Sequence, residues 1–447
     1  MSRSILIVII LAIIIRFAGL SVLPPALNRD EAAIGWNAYS LLKTGKDEHG
    51  IKWPLNFKSI GDYKMPGYIY ATILPIKVFG LNEFSIRFWS ALAGVVSVLM
   101  VYLISKNILA GLLMVLNPWA IFYSRIAFEA NLALALFLTG LWLVLNKRFW
   151  GLIFWILAML TYSSSLIFIP LFSFVLIKKI PKFTYLWFII VAVLTIKLMS
   201  PVSSQKANIT IFSDPTTINF YNQTRTAIFQ QNPLLARTWW NKYVFWGRLA
   251  AMNYLKTFSP KFLLTQGGNH PWHQIPKMGY FYPAEIILAL VGLWRLKQKK
   301  QWLLSWLLLA PLASAITIDA PHATRSLFLL PAVVIIASFG LPKAKWLKIG
   351  LIALYLINLN YFSYQYLVNY PKRTAAILPV DLKTNLLRIS DRSQPLVLTG
   401  IYDSVYLYPL VYLQVDPREF QSTAKWTSPD TAGLSNAYSF SNITIRD

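Results

Sequence analysis

The chain has no cysteine, and only 17 of its 447 residues are acidic. The first absence excludes disulfides and thiolate metal sites and leaves the redox compartment open. Charged residues make up 13% of the chain, where soluble domains carry roughly a quarter. So little charge cannot cover the surface of a water-soluble protein of this size. Nucleotide signatures are missing too: there is no Walker loop and no G-x-G-x-x-G, so no nucleotide cofactor is expected.

What the chain does have is apolar length. Hydrophobic residues reach 56%, and lipid is the solvent that suits runs of about 20 apolar residues. The net charge of +25 would suit a nucleic acid. Here the basic residues are dispersed between apolar runs, with no compact stripe or binding motif. They read as a topology signal and an attraction to anionic lipid, with no nucleic-acid partner.

The first run, Ser4 to Leu23, has no small-residue cleavage site before Pro24 and Pro25 and reads as a retained span. Further spans are expected at 86–104, 108–123, 130–146, 149–163, 165–177, 183–199, 283–295, 302–318, 325–341 and 347–363, about eleven in all. With the N-terminus cytoplasmic, Lys106, Lys147, Arg148, Lys178, Lys179, Lys182, Arg295, Lys297, Lys299, Lys300, Lys343, Lys345 and Lys348 fall inside. The short outer loops then keep only Arg125 and Arg325, as the positive-inside rule asks. The same orientation puts every acidic residue outside or at an outer helix end. Carboxylate chemistry is therefore expected on the extracytoplasmic side of a multi-pass cell-membrane protein.

The expected fold is an all-α polytopic membrane protein carrying a small C-terminal α/β extracytoplasmic domain. Residues 1–364 form the membrane domain, with long outer loops at 24–85 and 200–282, and residues 365–447 form the C-terminal domain. Within the first loop, Glu31 to Leu42 has helical character and Pro66 to Phe79 is apolar but short. The second loop is polar and rich in aromatics, suited to amphipathic helices at the interface. In the tail, Pro395 to Thr399 and Val405 to Leu413 are short apolar pieces between turn residues. No internal repeat is evident, which weakens a transporter reading.

Several residues carry chemistry in this layout. Asp30 and Glu31, directly after the first span, form a carboxylate pair suited to a raised pKa or to metal binding; as an alternative they are first-turn acids of a helix. Lys64, in Asp62-Tyr63-Lys64-Met65-Pro66, is a point charge suited to a phosphate or an ordinary snorkelling lysine. Glu129 opens a span at the outer surface. Arg325 is expected to start a helix, where a lone cation opposes the dipole and calls for an anion. His270, His273 and His322 are candidate substrate-binding groups, with Asp62 and Tyr63.

Together, and in this order, these features resemble the family 39 glycosyltransferases, bacterial relatives of dolichyl-phosphate-mannose protein mannosyltransferases and of the lipid A aminoarabinose transferase. The likeness lies in Asp30-Glu31, Ala38 to Gly45, Asp62 to Pro66, Phe79 to Arg87, Asn117-Pro118, Ser124-Arg125 and Glu129, and is most specific over residues 28–131. It implies a GT-C fold and transfer of a hexosyl or pentosyl group from a polyprenyl phosphate to a lipid, glycan or protein acceptor, with inversion. By that resemblance Asp30 is the base or a metal ligand with Glu31 beside it, Glu129 is the second acid, and Lys64 meets the lipid phosphate. Arg325 is a candidate second phosphate contact, and a divalent ion (Mg, Mn or Zn) held by Asp30 and Glu129 is an alternative source of positive charge. The long inserted luminal domain of the protein mannosyltransferases is missing, which argues against a protein acceptor. The chief competing reading is a flippase for a lipid-linked sugar, for which Arg16 and Lys197 inside apolar runs would be the signal.

Overall fold

The computed structural model describes residues 3–59, 62–177, 186–187, 189–191, 193, 210–268, 270–296, 300–375, 377–391, 393–400, 404–428 and 435–446. Most of the expected span at 183–199, with Lys178, Lys179, Lys182, Lys197, Lys297 and Lys299, lies outside them.

The first half is a helical bundle with one broad excursion. Helix α1 (Arg3–Phe17) ends in turns that lead to α2 (Arg29–Thr44), a short hairpin of β1 (Phe57–Ser59) and β2 (Asp62–Lys64), and α3 (Pro66–Phe79). Then follow α4 (Glu83–Ser105), α5 (Ile108–Leu116), α6 (Pro118–Ser124), α7 (Glu129–Leu145), α8 (Trp150–Thr161) and α9 (Ser165–Val175). Among the described residues α4 alone is long and apolar enough to cross a membrane by itself; α6 and α7 qualify only together, bent by 114°. The stretch 108–123 is thus two helices, because Asn117 leaves the helix and Pro118 starts the next one with Asn117 as its cap.

Two arginines explain how such short helices end inside an apolar bundle. Arg16 is fully buried and donates to the carbonyls of Met114 (3.0 Å) and Val115 (3.1 Å) at the end of α5. Arg125, in the bend between α6 and α7, donates to Ile15, Arg16, Gly19 and Leu23 at the end of α1. Arg16 answers carbonyls at the C-terminus of α5, and Arg125 those of Ile15 and Arg16 at the C-terminus of α1 and of the turns that follow it. Arg16 therefore has a structural use. Gly94 leaves room for it: a Cβ there would lie 2.9 Å from Arg16 Nε and 2.6 Å from Ser124 Cβ.

The second half begins with the helices α10 (Pro215–Gln231), α11 (Pro233–Thr238) and α12 (Lys242–Thr257). The bundle resumes with α13 (Pro283–Trp294), α14 (Gln301–Leu309), α15 (Leu312–Ala315), α16 (Leu329–Ser338) and α17 (Lys345–Tyr364). The stretch 302–318 is interrupted between Leu309 and Leu312, where Pro311 cannot continue the ladder. Arg325 does not start a helix: residues 323–328 are turns and α16 begins at Leu329.

The tail holds α18 (Val380–Arg388), β3 (Leu396–Thr399), α19 (Leu407–Tyr412), α20 (Pro417–Thr423), β4 (Lys425–Trp426), β5 (Ala437–Phe440) and β6 (Ile443–Arg446). Its sheet runs β3-β6-β5-β4, with β3 parallel to β6 and the other pairs antiparallel. The expected boundary at 365 falls inside a helical run that continues from α17 to Thr374. The tail also shares one hydrophobic core with α2 and α3, in which Trp36 meets Phe420 edge-on at 5.5 Å. A second, larger core fills the bundle.

Candidate active site

The site is built outward from the head of α2. Asn28 caps this helix: its side chain accepts from the Glu31 N–H (3.0 Å), and Glu31 Oε2 accepts from the Asn28 N–H (3.1 Å), a closed capping box. Glu31 is 1% exposed and also grips Arg87, which is fully buried, through Nε at 2.8 Å and Nη2 at 3.1 Å. Arg87 donates further to the carbonyls of Leu20, Pro24 and Ala26, while the Ala127 N–H donates to Glu31 Oε1. This ion pair binds the loop after α1, the head of α2, α4 and the bend before α7 into one block. Glu31 is thereby placed in the scaffold; it has no open face toward a substrate.

The neighbouring Asp30 points the other way. Its side chain is about a third exposed (34%), and Oδ1 lies 2.9 Å from Lys64 Nζ. Lys64 is delivered by the hairpin, where Phe57 pairs with Lys64 and Lys58 with Tyr63. Strand alternation turns Tyr63 away from the face that carries Lys64. The same ammonium lies 3.9 Å from Glu129 Oε1, at the head of α7 and 17% exposed. Three residues far apart in sequence thus meet around one cation. Burial alone would raise the Asp30 carboxyl, but Lys64 and then Arg29 overcome that and hold it down at about 2.

A second group faces this one. The turn after α15 carries Asp319, His322, Thr324 and Arg325, and the segment before α13 carries His270, Trp272 and His273. The His270 and His273 rings are 4.7 Å apart, and His273 and His322 4.8 Å. Tyr123, Thr324 and His273 are linked in series: Tyr123 Oη to Thr324 Oγ1 at 3.0 Å, and Thr324 Oγ1 to His273 Nδ1 at 3.2 Å. Arg325 pairs with Asp319 and donates to Thr317 Oγ1 (3.0 Å), both through Nη1. His270, His273, Asp319 and His322 line a cavity of about 140 Å³.

Phe128, one residue before Glu129, meets the His273 ring edge-on at 5.1 Å, which joins the two groups. Burial holds the His273 and His322 imidazoles well below the usual histidine range, and the other histidines and Arg325 push the same way. Burial, helped by Arg29, lowers His270 as well. At neutral pH these rings are uncharged hydrogen-bonding groups.

The residues do not fit a divalent ion. Among the described residues no group of three His, Asp or Glu is arranged to hold a metal, and Lys64 already stands between Asp30 and Glu129.

Of the expected site residues, Asp30, Lys64 and Glu129 come together, and so do His270, His273, His322 and Arg325. Sequence reasoning missed the scaffolding role of Arg87 and the place of Arg29, whose guanidinium stacks 4.9 Å over Trp272 and ties the head of α2 to the histidine segment.

No protein-family model matches the chain, and no curated protein does. Among solved structures it is similar to ArnT from Cupriavidus metallidurans in the apo state, with a TM-score of 0.49 and 13% identity over 92% of this chain and 84% of that one. It is similar also to ArnT bound to undecaprenyl phosphate, with a TM-score of 0.43, 15% identity and the same coverage. The archaeal oligosaccharyltransferase AglB from Archaeoglobus fulgidus, in complex with an inhibitory peptide and a dolichol-phosphate, gives a TM-score of 0.47 and 12% identity over 91% of this chain and 63% of that one. At such identities and TM-scores the likeness assigns no donor, acceptor or residue role.

Proposed function

We propose that the chain is a membrane glycosyltransferase that moves a sugar from a polyprenyl phosphate to an acceptor hydroxyl at the extracytoplasmic face. The observation that carries this reading is Lys64 standing between Asp30 and Glu129, opposite a turn that brings a second cation, Arg325.

In this reading the acceptor oxygen forms a bond to the anomeric carbon as the bond from that carbon to the phosphate oxygen breaks. The bonding pair leaves on the phosphate, and attack from the opposite face inverts the anomeric centre. Asp30 takes the acceptor proton. A carboxyl near 2 is always ionised at neutral pH but is a weak base. Lys64 resolves that conflict, because the phosphate draws its ammonium away from Asp30 as negative charge builds there, and Asp30 recovers basicity at that moment. Glu129 keeps Lys64 within reach. Arg325 supplies the second phosphate contact, and His270, His273 and His322 supply neutral contacts to hydroxyls.

The test is release of labelled sugar from a panel of polyprenyl-phosphate sugars by the purified protein and by Asp30→Asn. The expected result is consumption of one donor, reduced about 10²- to 10⁴-fold in the variant, the usual range for a general base. If no donor is consumed in the presence of acceptor-rich membranes, while the labelled lipid still crosses the bilayer, the chain is a flippase.

A further inference from the structure

Helix α10 has a feature that a stable helix rarely shows: none of its 17 residues is buried. Protein helices draw most of their stability from packing one face. Yet α10 carries Phe220 and Phe229, 56% and 41% exposed, and its neighbour α12 exposes Tyr243, Met252 and Leu255. Between the two helices lies a cavity of about 490 Å³, with Phe220, Trp240, Phe245, Leu249 and Met252 as its apolar walls. Arg248 stands at its rim, its guanidinium 5.4 Å over the Trp240 ring, beside Thr216 and Thr217 of the α10 N-terminus.

The segment that builds this cavity is strongly basic. From residue 210 to 268 the chain carries Arg225, Arg237, Lys242, Arg248, Lys256 and Lys261 against a single acid, Asp214. That acid is engaged as the cap of α10, accepting from the Thr217 N–H at 2.7 Å and from the Thr217 hydroxyl. An apolar slot with a cationic rim in a basic surround is complementary to an amphiphile with an anionic head.

We infer that the cavity between α10 and α12 is a binding site for an anionic phospholipid of the surrounding bilayer. One acyl chain fills the slot, and the headgroup phosphate meets Arg248 and the Thr216 hydroxyl, since the Thr217 hydroxyl is taken by Asp214. This site is separate from the transferase reading and does not depend on it. It does sit on the same frame: the Ile211 N–H donates to Ile316 (3.0 Å) and Asn253 to Ala315 and Thr317 (3.2 Å each), in the strip that precedes Asp319.

The full-length protein in phosphatidylcholine vesicles, doped with a minor fraction of either brominated phosphatidylglycerol or brominated phosphatidylcholine, tests this. The readout is the tryptophan fluorescence that disappears in Trp240→Phe. We expect the anionic quencher to be preferred about fivefold, the enrichment one arginine gives at an anionic surface. Arg248→Gln removes most of that preference and Arg248→Lys restores it. In the wild type, added salt weakens it, which needs no variant to fold. Equal quenching by both lipids leaves an unselective apolar contact and overturns the inference. So does a Trp240 signal that neither lipid reaches, which points to a protein occupant.

Discussion

Asp30 and Glu31 are adjacent at the head of α2, and each is paired with a cation from another part of the chain. The Glu31–Arg87 pair is dry, and every guanidinium nitrogen has an acceptor on Glu31 or on a carbonyl. The Asp30–Lys64 pair is less dry, with Asp30 about a third exposed and one ammonium near two carboxylates at unequal distances, 2.9 and 3.9 Å. A saturated pair holds a shape and has nothing left to give a substrate. A compact ammonium within reach of two carboxylates can exchange partners. In the proposed reading the same two kinds of charge serve as rivet and as reagent, and what divides them is water access, 1% at Glu31 against 34% at Asp30.

Breaking the rivet has the largest expected effect. Arg87→Ala leaves the Glu31 carboxylate buried without its partner, a loss of about 3–5 kcal/mol for a buried pair. The measurable outcome is a protein that unfolds at a lower temperature or fails to be recovered from membranes. Recovery with unchanged thermal stability would mean that the block around Glu31 is not a stability element.

Lys64→Ala acts on the reagent and spares the fold. Sugar release should fall about 10²-fold or more, as for the removal of one charge-stabilising group. The Asp30 carboxyl should rise from about 2 toward the ordinary carboxylate range, because Lys64 is the strongest influence holding it down. Carboxylate NMR across the acid range reads that shift directly, and an unmoved Asp30 would disprove the coupling.

The smallest effect sharpens the comparison from a third acid. Glu48 is buried with no ion-pair partner among the described residues; it accepts from Asn37 (3.1 Å) and Tyr406 (3.1 Å), and Asp47 beside it is buried as well. Burial pushes its carboxyl up to about 7. The folded state then holds a proton that the unfolded state, near 4, has released. Stability from this group is therefore full in acid and declines as pH rises from about 4 to about 7. Glu48→Gln should flatten that slope in thermal melts taken across this window; a slope that persists assigns it elsewhere.

How much of this was legible in the sequence follows the same division. Asp30, Lys64 and Glu129 stand out because charges are rare in this chain and each opens or precedes an apolar element. The place of Glu31 was readable too, since Asn28-x-x-Glu31 has the spacing of a capping box. Its partner was not, because Arg87 lies 56 residues away and only tertiary contact brings it home. The helix over Glu31 to Leu42 appears as its pattern suggests, and the short apolar piece Pro66–Phe79 is a helix as well. The long apolar runs concealed breaks at Asn117-Pro118 and at Pro311, and the turn at Arg325, where composition stays apolar while backbone geometry changes. The core shared by the tail and α2 was invisible, since apolar pieces in a tail do not say what they pack on.

Arg16 sets a condition on how this protein is made. Its acceptors, Met114 and Val115, lie 98 and 99 residues further along the chain. At roughly 5–20 residues per second, translation takes about 5–20 s to reach them. For that interval the Arg16 guanidinium lacks the helix end that receives it, so α1 cannot reach its final packing until α5 has emerged.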